Sequence, residues 1–208
     1  MTDEGVVHIV DDDEAVRQSL AFMLSTAGLP VRLYESATAF LAALEGAQNG
    51  CLITDIRMSE MTGIELLREL RFKACSLPTI VITGHGDVPL AVEAMKAGAI
   101  DFIEKPFDEE AILHAVRMAL EQSGDRESGA GPAVAAKLAS LSERERQVLE
   151  GLVAGHPNKT IAYDLGISPR TVEVYRANLM TKMQAKSLSE LIRMAILAEI
   201  PPASRGSK

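Results

Sequence analysis

Cysteine is scarce in this chain. Its 208 residues hold two, Cys51 and Cys75, in no CxxC and no zinc-ligand spacing. That argues against a structural zinc site or a disulfide framework and for buried thiols in a reducing cytosol. No apolar run approaches membrane-spanning length. The opening Met1-Thr2-Asp3-Glu4-Gly5 is acidic and lacks the basic and apolar stretches of a signal sequence. A cytoplasmic protein without a membrane partner is the expectation. Internal repeats are missing too, and so is any overall excess of positive charge: the net charge is -8.

What is present suits one large or two small globular domains, with 47% hydrophobic and 24% charged residues. The charge is unevenly spread. Residues 1–124 carry 9 Lys/Arg against 20 Asp/Glu, a net -11, whereas residues 141–195 carry 8 against 6, a net +2. An acidic block joined to a mildly basic one predicts different partners for the two halves.

The first half alternates strand and helix. Apolar runs at Val6–Val10, Cys51–Thr54, Thr79–Ile82 and Ala99–Ile103 read as strands. Helical spacing is seen over Glu14–Ala27, Ala37–Leu44, Gly63–Leu70, Asp87–Ala97 and Asp108–Gln122, with Gly28 and Gly98 as stops and Ser36 and Asp108 as caps. Five β-α units predict a five-stranded parallel sheet covered on both faces, an α/β doubly wound domain over 1–122. The Gly- and Ser-rich stretch Gln122–Pro132 marks a boundary, with a linker over 123–139. Only helical patterns follow: Ala133–Ala139, Glu143–Ala154, Asn158–Leu165, Pro169–Met183 and Leu188–Glu199. Ser142 and Glu145 form a capping box. An all-α domain over 140–200 and a disordered tail over 201–208 are expected.

Four strands end on chemistry: Asp11-Asp12, Asp55, Thr83 and Lys105. Ligands of open α/β sheets bind outside the carboxyl ends of the strands, so these groups converge. Three carboxylates about 5 Å apart repel by roughly 3 kcal/mol per pair at an effective dielectric near 20. Such a cluster needs a cation, and oxygen-only ligands select Mg2+ or a similar hard ion such as Mn2+. With the ion neutralising the cluster, an Asp carboxylate can attack phosphorus in line and become an acyl phosphate. Lys105 supplies a point charge, Thr83 a hydrogen bond, and a cis Lys105-Pro106 bond would aim the ammonium. Singly, each residue has a plainer use. Asp11 to Asp13 could cap the next helix, Asp55 could be a turn residue and Lys105 solvated. All four at strand ends is a more demanding coincidence.

On these motifs, Asp11-Asp12, Asp55-Ile-Arg-Met-Ser-Glu-Met-Thr-Gly63, Thr83-Gly84 and Lys105-Pro106, residues 6–122 resemble a response-regulator receiver domain. The resemblance implies that Asp55 is the phosphoacceptor. It implies that Asp12, Asp55 and the Arg57 carbonyl hold Mg2+, with Asp11 acting through water. Thr83 and Phe102 become the switch pair and Lys105 the phosphate partner; Phe102 also reads as core. Arg57 and His85 occupy positions that tune autodephosphorylation, and a solvated loop role for both is equally open. Ser59 departs from the family's usual Pro.

In the second half, Asn158–Leu165, Gly166-Ile-Ser168 and Pro169–Met183 read as helix, tight turn, helix. Ile161, Leu165, Ile167, Val172 and Leu179 are spaced as a shared core. A helix-turn-helix lays its second helix in the major groove, where Arg reads guanine, Asn adenine, and Glu accepts from cytosine. Arg170, Thr171, Glu173, Arg176 and Asn178 are the candidates, with Lys159, Lys182 and Lys186 for phosphates. Val174 and Tyr175 could touch base or sugar, Val174 equally core. An αα-hairpin that never meets DNA is the plain alternative. The longer match, Leu141-Ser-Glu-Arg-Glu-Arg-Gln-Val-Leu149, Gly155, Asn158-Lys159, Leu165-Gly-Ile-Ser168 and Arg170-Thr-Val-Glu-Val174, resembles a LuxR-type DNA-binding domain. Glu173 departs from a position that is often basic.

Receiver plus LuxR-type domain resembles the NarL/FixJ family of two-component response regulators. That implies a transcription activator fed phosphate by a sensor histidine kinase, here a haem-based oxygen sensor. It implies promoter DNA and RNA polymerase as partners, nitrogen-fixation or microaerobic genes as targets, and no enzymatic activity beyond the chain's own phosphorylation chemistry. Phosphorylation would pair two receivers through Val92, Lys96, Asp101 and Arg117 as a C2 homodimer, and could free the basic domain from an acidic receiver covering it. The rivals are the same architecture serving another sensor, an aspartyl-phosphate hydrolase, which would need a substrate-enclosing insertion, and a non-DNA adaptor.

Overall fold

The structure, a computed structural model, describes residues 5–47, 49–84, 88–122, 132–198 and 200. His85, Asp87, the linker before Pro132 and the tail after Ile200 lie outside the described residues. The chain divides into two compact units, one carrying a sheet and the other the C-terminal helices together with the stretch 87–96, which lies between the fourth and fifth strands in sequence.

In the first unit, strands β1 (Val6–Val10), β2 (Val31–Tyr34), β3 (Gly50–Asp55), β4 (Thr79–Gly84) and β5 (Asp101–Lys105) form one sheet in the order β2-β1-β3-β4-β5, every neighbour parallel. β3 is buried along its whole length, which is why it reads as a continuous apolar run rather than an alternating one. Helices α1 (Glu14–Thr26), α2 (Ala37–Ala42), α3 (Gly63–Phe72), α4 (Val88–Ala97) and α5 (Glu109–Gln122) alternate with the strands. Alternate strand residues feed two cores. Val7, Ile9, Cys51, Ile53, Ile80 and Ile82 pack with Leu20, Leu24 and the α5 residues Ile112 and Val116. Val10 and Leu52 pack on the other face with Phe40, Leu66 and Leu70. Cys51 is fully buried and its thiol is pushed up to about 12 by loss of solvation.

Among the elements whose bounds differ from the sequence reading, two stand out. The second helix stops at Ala42 and a 3₁₀ turn, Leu44–Gly46, follows. The fifth strand runs over Asp101–Lys105 rather than Ala99–Ile103, because its register is set by β4: the Ile100 amide meets the Thr79 carbonyl, and Asp101 pairs with Ile80. Ala99 and Ile100 are therefore the entry to the strand, and Lys105 lies inside the ladder, opposite Gly84.

In the second unit, α6 (Pro132–Ala139), α7 (Glu143–Val153), α8 (Asn158–Leu165), α9 (Pro169–Met183) and α10 (Leu188–Leu197) enclose one core. It contains Leu141, Val148, Leu149, Leu152, Ile161, Val172, Leu179, Met183 and Leu191. Leu138 of α6 belongs to it, so a helix within the stretch read as linker is packed on this unit. Gly166 takes the left-handed conformation, φ 64°, that turns the chain from α8 toward α9. Ser168 then caps α9 and Pro169 opens it. Among the described residues no helix is long and apolar enough to cross a membrane.

Candidate acidic pocket and helix-turn-helix face

Asp55 closes β3 and is 7% exposed; Asp11, just past β1, is 3% exposed. The Lys105 ammonium lies between them, 2.7 Å from Asp55 Oδ1 and 2.9 Å from Asp11 Oδ2. Three strand ends thus meet at one ammonium. Backbone amides complete the frame. The Arg57 N–H donates to Asp55 Oδ2 at 2.6 Å and the Asp13 N–H to Asp11 Oδ1 at 2.9 Å. Arg17 donates to the Asp11 carbonyl at 2.6 Å. Asp13 has become the cap of α1, accepting from the Ala15 and Val16 amides, so the capping reading holds for Asp13 and leaves Asp11 and Asp12 for other work.

Asp12 is exposed and accepts the Ser59 N–H at 3.0 Å. Among the described residues no three His, Cys, Asp or Glu side chains stand in metal-holding arrangement. The donor set is all oxygen and fits a hard divalent ion in its chemistry. Thr83 is buried at the end of β4, its hydroxyl donating weakly to the Gly84 carbonyl at 3.4 Å. Phe102, one residue into β5, is half-buried. The Lys105-Pro106 peptide is cis.

Burial pushes the Asp55 carboxyl above its ordinary range, against the pull of Lys105 and the Arg57 amide and helped by the charge of Asp11. Burial also opposes the charge on Lys105, but its bonds to Asp55 and Asp11 outweigh it, and the ammonium is held above its usual range. The pocket is therefore short of positive charge, with one ammonium shared between two carboxylates.

Gly63 opens α3 beside this site. A Cβ there would collide with the Asp55 carbonyl oxygen and stand 3.3 Å from the Ile56 Cα. Thr62 and Glu65 make a capping box just before it.

The dimer-face candidates are scattered in exposure: Lys96 and Arg117 are exposed, Asp101 half-buried, and Val92 buried.

On the helical unit, Lys159, Arg170, Glu173, Asn178 and Lys186 are exposed, and Thr171 is half-buried next to Ser168. Val174 is 56% exposed and so lies outside the core, whereas Tyr175 packs against it. Two of the expected DNA residues have protein partners. Lys182 donates to the buried Glu145 at 2.7 Å. Arg176 donates to Asn158 Oδ1 at 3.0 Å. Sequence reading did not mark Asn158 or Glu145 as partners, because the pairs are 18 and 37 residues apart. Tyr163, 86% exposed on α8, is another surface aromatic that helical spacing alone leaves unremarked.

With this geometry in view, comparison with known proteins is direct. The family of response regulator receiver domains matches residues 7–117, and that of bacterial regulatory proteins of the luxR family matches residues 139–195. The transcriptional regulatory protein FixJ of Azorhizobium caulinodans is 60% identical over 199 residues, covering 95% of this chain and 94% of that one. FixJ of Rhizobium meliloti is 58% identical over 205 residues, covering 98% and 100%. Full-length FixJ from B. japonicum, a crystal structure, is similar with a TM-score of 0.57 and 52% identity over 95% of this chain and 98% of that one. An acidic pocket at the strand ends, a helix-turn-helix later in the chain, and relatives more than half identical over nearly the whole length lead to one conclusion: the chain belongs to the NarL/FixJ family of two-component response regulators, as a FixJ-like transcription regulator with a LuxR-type DNA-binding domain.

Proposed function

We propose that this protein is switched on by phosphorylation of Asp55. The observation that carries the reading is the ammonium of Lys105 held on both Asp55 and Asp11 at the sheet's carboxyl edge. Asp12 and Asp55 with the Arg57 carbonyl, and Asp11 through water, would hold Mg2+ or Mn2+. Held there, the ion would supply the positive charge that offsets the carboxylates and the incoming phosphoryl group. Asp55 is the nucleophile: its carboxylate oxygen forms the new bond to phosphorus as the donor's imidazole leaves. Lys105 passes from Asp55 to a phosphoryl oxygen. Thr83, weakly engaged with the Gly84 carbonyl, turns its hydroxyl to another. Phe102 then fills the space Thr83 vacates.

The receiver face of α4, β5 and α5, with Val92, Lys96, Asp101 and Arg117, pairs with a second copy. Two helix-turn-helix units then meet two half-sites. Phosphorylation stabilises this state only through contacts the resting state lacks, so it shifts an existing equilibrium. The phosphodonor is a sensor histidine kinase, by resemblance a haem-based oxygen sensor. The output is recruitment of RNA polymerase to nitrogen-fixation or microaerobic genes.

The test is incubation with Mg2+ and acetyl phosphate, or with an oxygen-sensing kinase where the small donor does not react, reading intact mass and solution molecular weight. A phosphoryl adduct and a dimer are expected, both absent from Asp55→Asn. An adduct without a dimer discards the pairing scheme; dimerisation persisting in Asp55→Asn refutes phosphorylation control.

A further inference from the structure

The exposed residues of α9 include Arg170, Glu173, Val174, Ala177, Asn178, Thr181 and Lys182. Spacings of three and four place them on one stripe of the helix. Arg176 is two residues from Val174, about 200° around the helix axis. That is the side of Val172, Leu179 and Met183, all fully buried. Arg176 is itself half-buried, and loss of solvation pulls its pKa down against the opposing charge of Glu173. A guanidinium remains charged under such a shift, so it needs a partner. The partner is Asn158 Oδ1 at 3.0 Å.

Asn158 is the first residue of α8. That end has no side-chain cap: Pro157 at the capping position accepts nothing through its side chain. Lys159, next in line, is exposed. The Arg176–Asn158 bond therefore ties the first turn of α8, which carries a phosphate-contact candidate, to the middle of α9, which carries the base-contact candidates.

We infer that Arg176 is a positioning residue for DNA binding: it touches no DNA, and through Asn158 it fixes the Lys159 end of α8 relative to the reading stripe of α9. Phosphate contacts set the register in which base contacts are made. A clamp between the two helices is thus worth affinity without adding a contact. This inference rests on the DNA-binding reading above.

The test uses the full chain treated with Mg2+ and acetyl phosphate, a duplex of random sequence, and a series of salt concentrations. Arg176→Ala and Asn158→Ala are each expected to weaken binding about fivefold, somewhat less than loss of a buried charged hydrogen bond. The double variant should be no weaker than either single. Arg176→Gln, which keeps an N–H donor for Asn158 but no charge, should bind within about twofold of wild type. The slope of log affinity against log salt should stay unchanged in all four, while Lys159→Ala should make it shallower by about 0.9, the share of one phosphate. Sequences enriched from a randomised pool should be the same for wild type and Arg176→Ala.

A slope shallower by about 0.9 in Arg176→Ala would mean a direct phosphate contact, and an altered enriched sequence a direct base contact; either overturns the inference. So do multiplying losses in the double variant, or wild-type binding by Asn158→Ala. If Arg176→Ala does not fold, Asn158→Ala and Arg176→Gln, checked by thermal melts, carry the decision. Wild-type protein that binds no duplex overturns the DNA reading and this inference together. Salt-dependent wild-type binding with the wrong variant pattern overturns this inference alone.

Discussion

The two units each contain a lysine bonded to a buried carboxylate at 2.7 Å, Lys105 to Asp55 and Lys182 to Glu145. The consequences are opposite. Asp55 is pushed above the carboxylate range by burial, while Glu145 is held at about 2 by Lys182 and by the amide and hydroxyl of Ser142. The difference lies first in solvation: its loss is the largest influence on Asp55, whereas the bond to Lys182 is the largest on Glu145. The number of charges each lysine serves adds to it. Lys182 serves one carboxylate that is already part of a capping box. Lys105 serves two carboxylates that repel each other. A satisfied carboxylate is structural. An undersupplied one has lone pairs and a need for further positive charge, and this is where chemistry can be placed.

The strongest way to break the comparison is Asp55→Asn. The phosphoryl adduct should vanish altogether, while the melting temperature is not lowered, because a buried charge and one repulsion have been removed together with one bond. A marked fall in melting temperature would place Asp55 with Glu145 as a structural group. Lys105→Ala should act the other way. It leaves Asp11 and Asp55 facing each other without a cation and should cost about 3 kcal/mol in denaturant unfolding, near the lower end for a broken buried pair. Added Mg2+ should recover part of that loss, and a loss indifferent to Mg2+ would count against cation binding between these acids.

Gly63→Ala tests the frame rather than the charges. The added Cβ meets the Asp55 carbonyl, which is backbone and cannot swing aside. A loss of about 2 kcal/mol is expected, the usual cost of overpacking, with slower adduct formation as the Asp55 loop shifts. Unaltered stability would show that α3 can slide away from β3.

Much of this was legible in the sequence. Apolar runs with Asp, Thr or Lys at their ends gave four of the five strands and the convergence of Asp11, Asp55 and Lys105, because strand ends follow local pattern; β2, four residues with its middle two exposed, carries no such run. Helix boundaries at Ser36, Ser142 and Ser168 followed from capping chemistry. What was not legible is what the backbone does and what distant pairs decide. The amides of Arg57, Ser59 and Asp13 bind the three acids, and no side-chain letter announces an amide. The fifth strand was displaced by two residues because its register belongs to β4. The bond from Arg176 to Asn158, 18 residues away, is such a pair: residue type marks Arg176 as a candidate base contact and says nothing of Asn158.

The smallest expected effect sharpens the comparison from the other side. Glu145→Gln keeps the shape of the capping box and removes the carboxylate that Lys182 and Ser142 bind. Lys182 is 41% exposed, so water screens the pair and the loss should be only about 1 kcal/mol. Its pH dependence is distinctive. The folded carboxyl titrates at about 2 and an ordinary Glu at 4.5, so the native state holds this group deprotonated where the unfolded chain has begun to bind a proton. The stabilisation is complete above pH 4.5 and fades as the pH falls through that interval toward 2. Unfolding curves of wild type and Glu145→Gln should therefore differ at pH 7 and draw together on acidification. Asp55 runs in the opposite sense in the metal-free pocket: its raised pKa makes its ionisation a cost that grows as pH rises. Asp55→Asn should accordingly gain relative stability in the range where Glu145→Gln loses it. Parallel pH profiles for the two variants would show that the bond to lysine, and not the loss of solvation at Asp55, sets the behaviour of both sites.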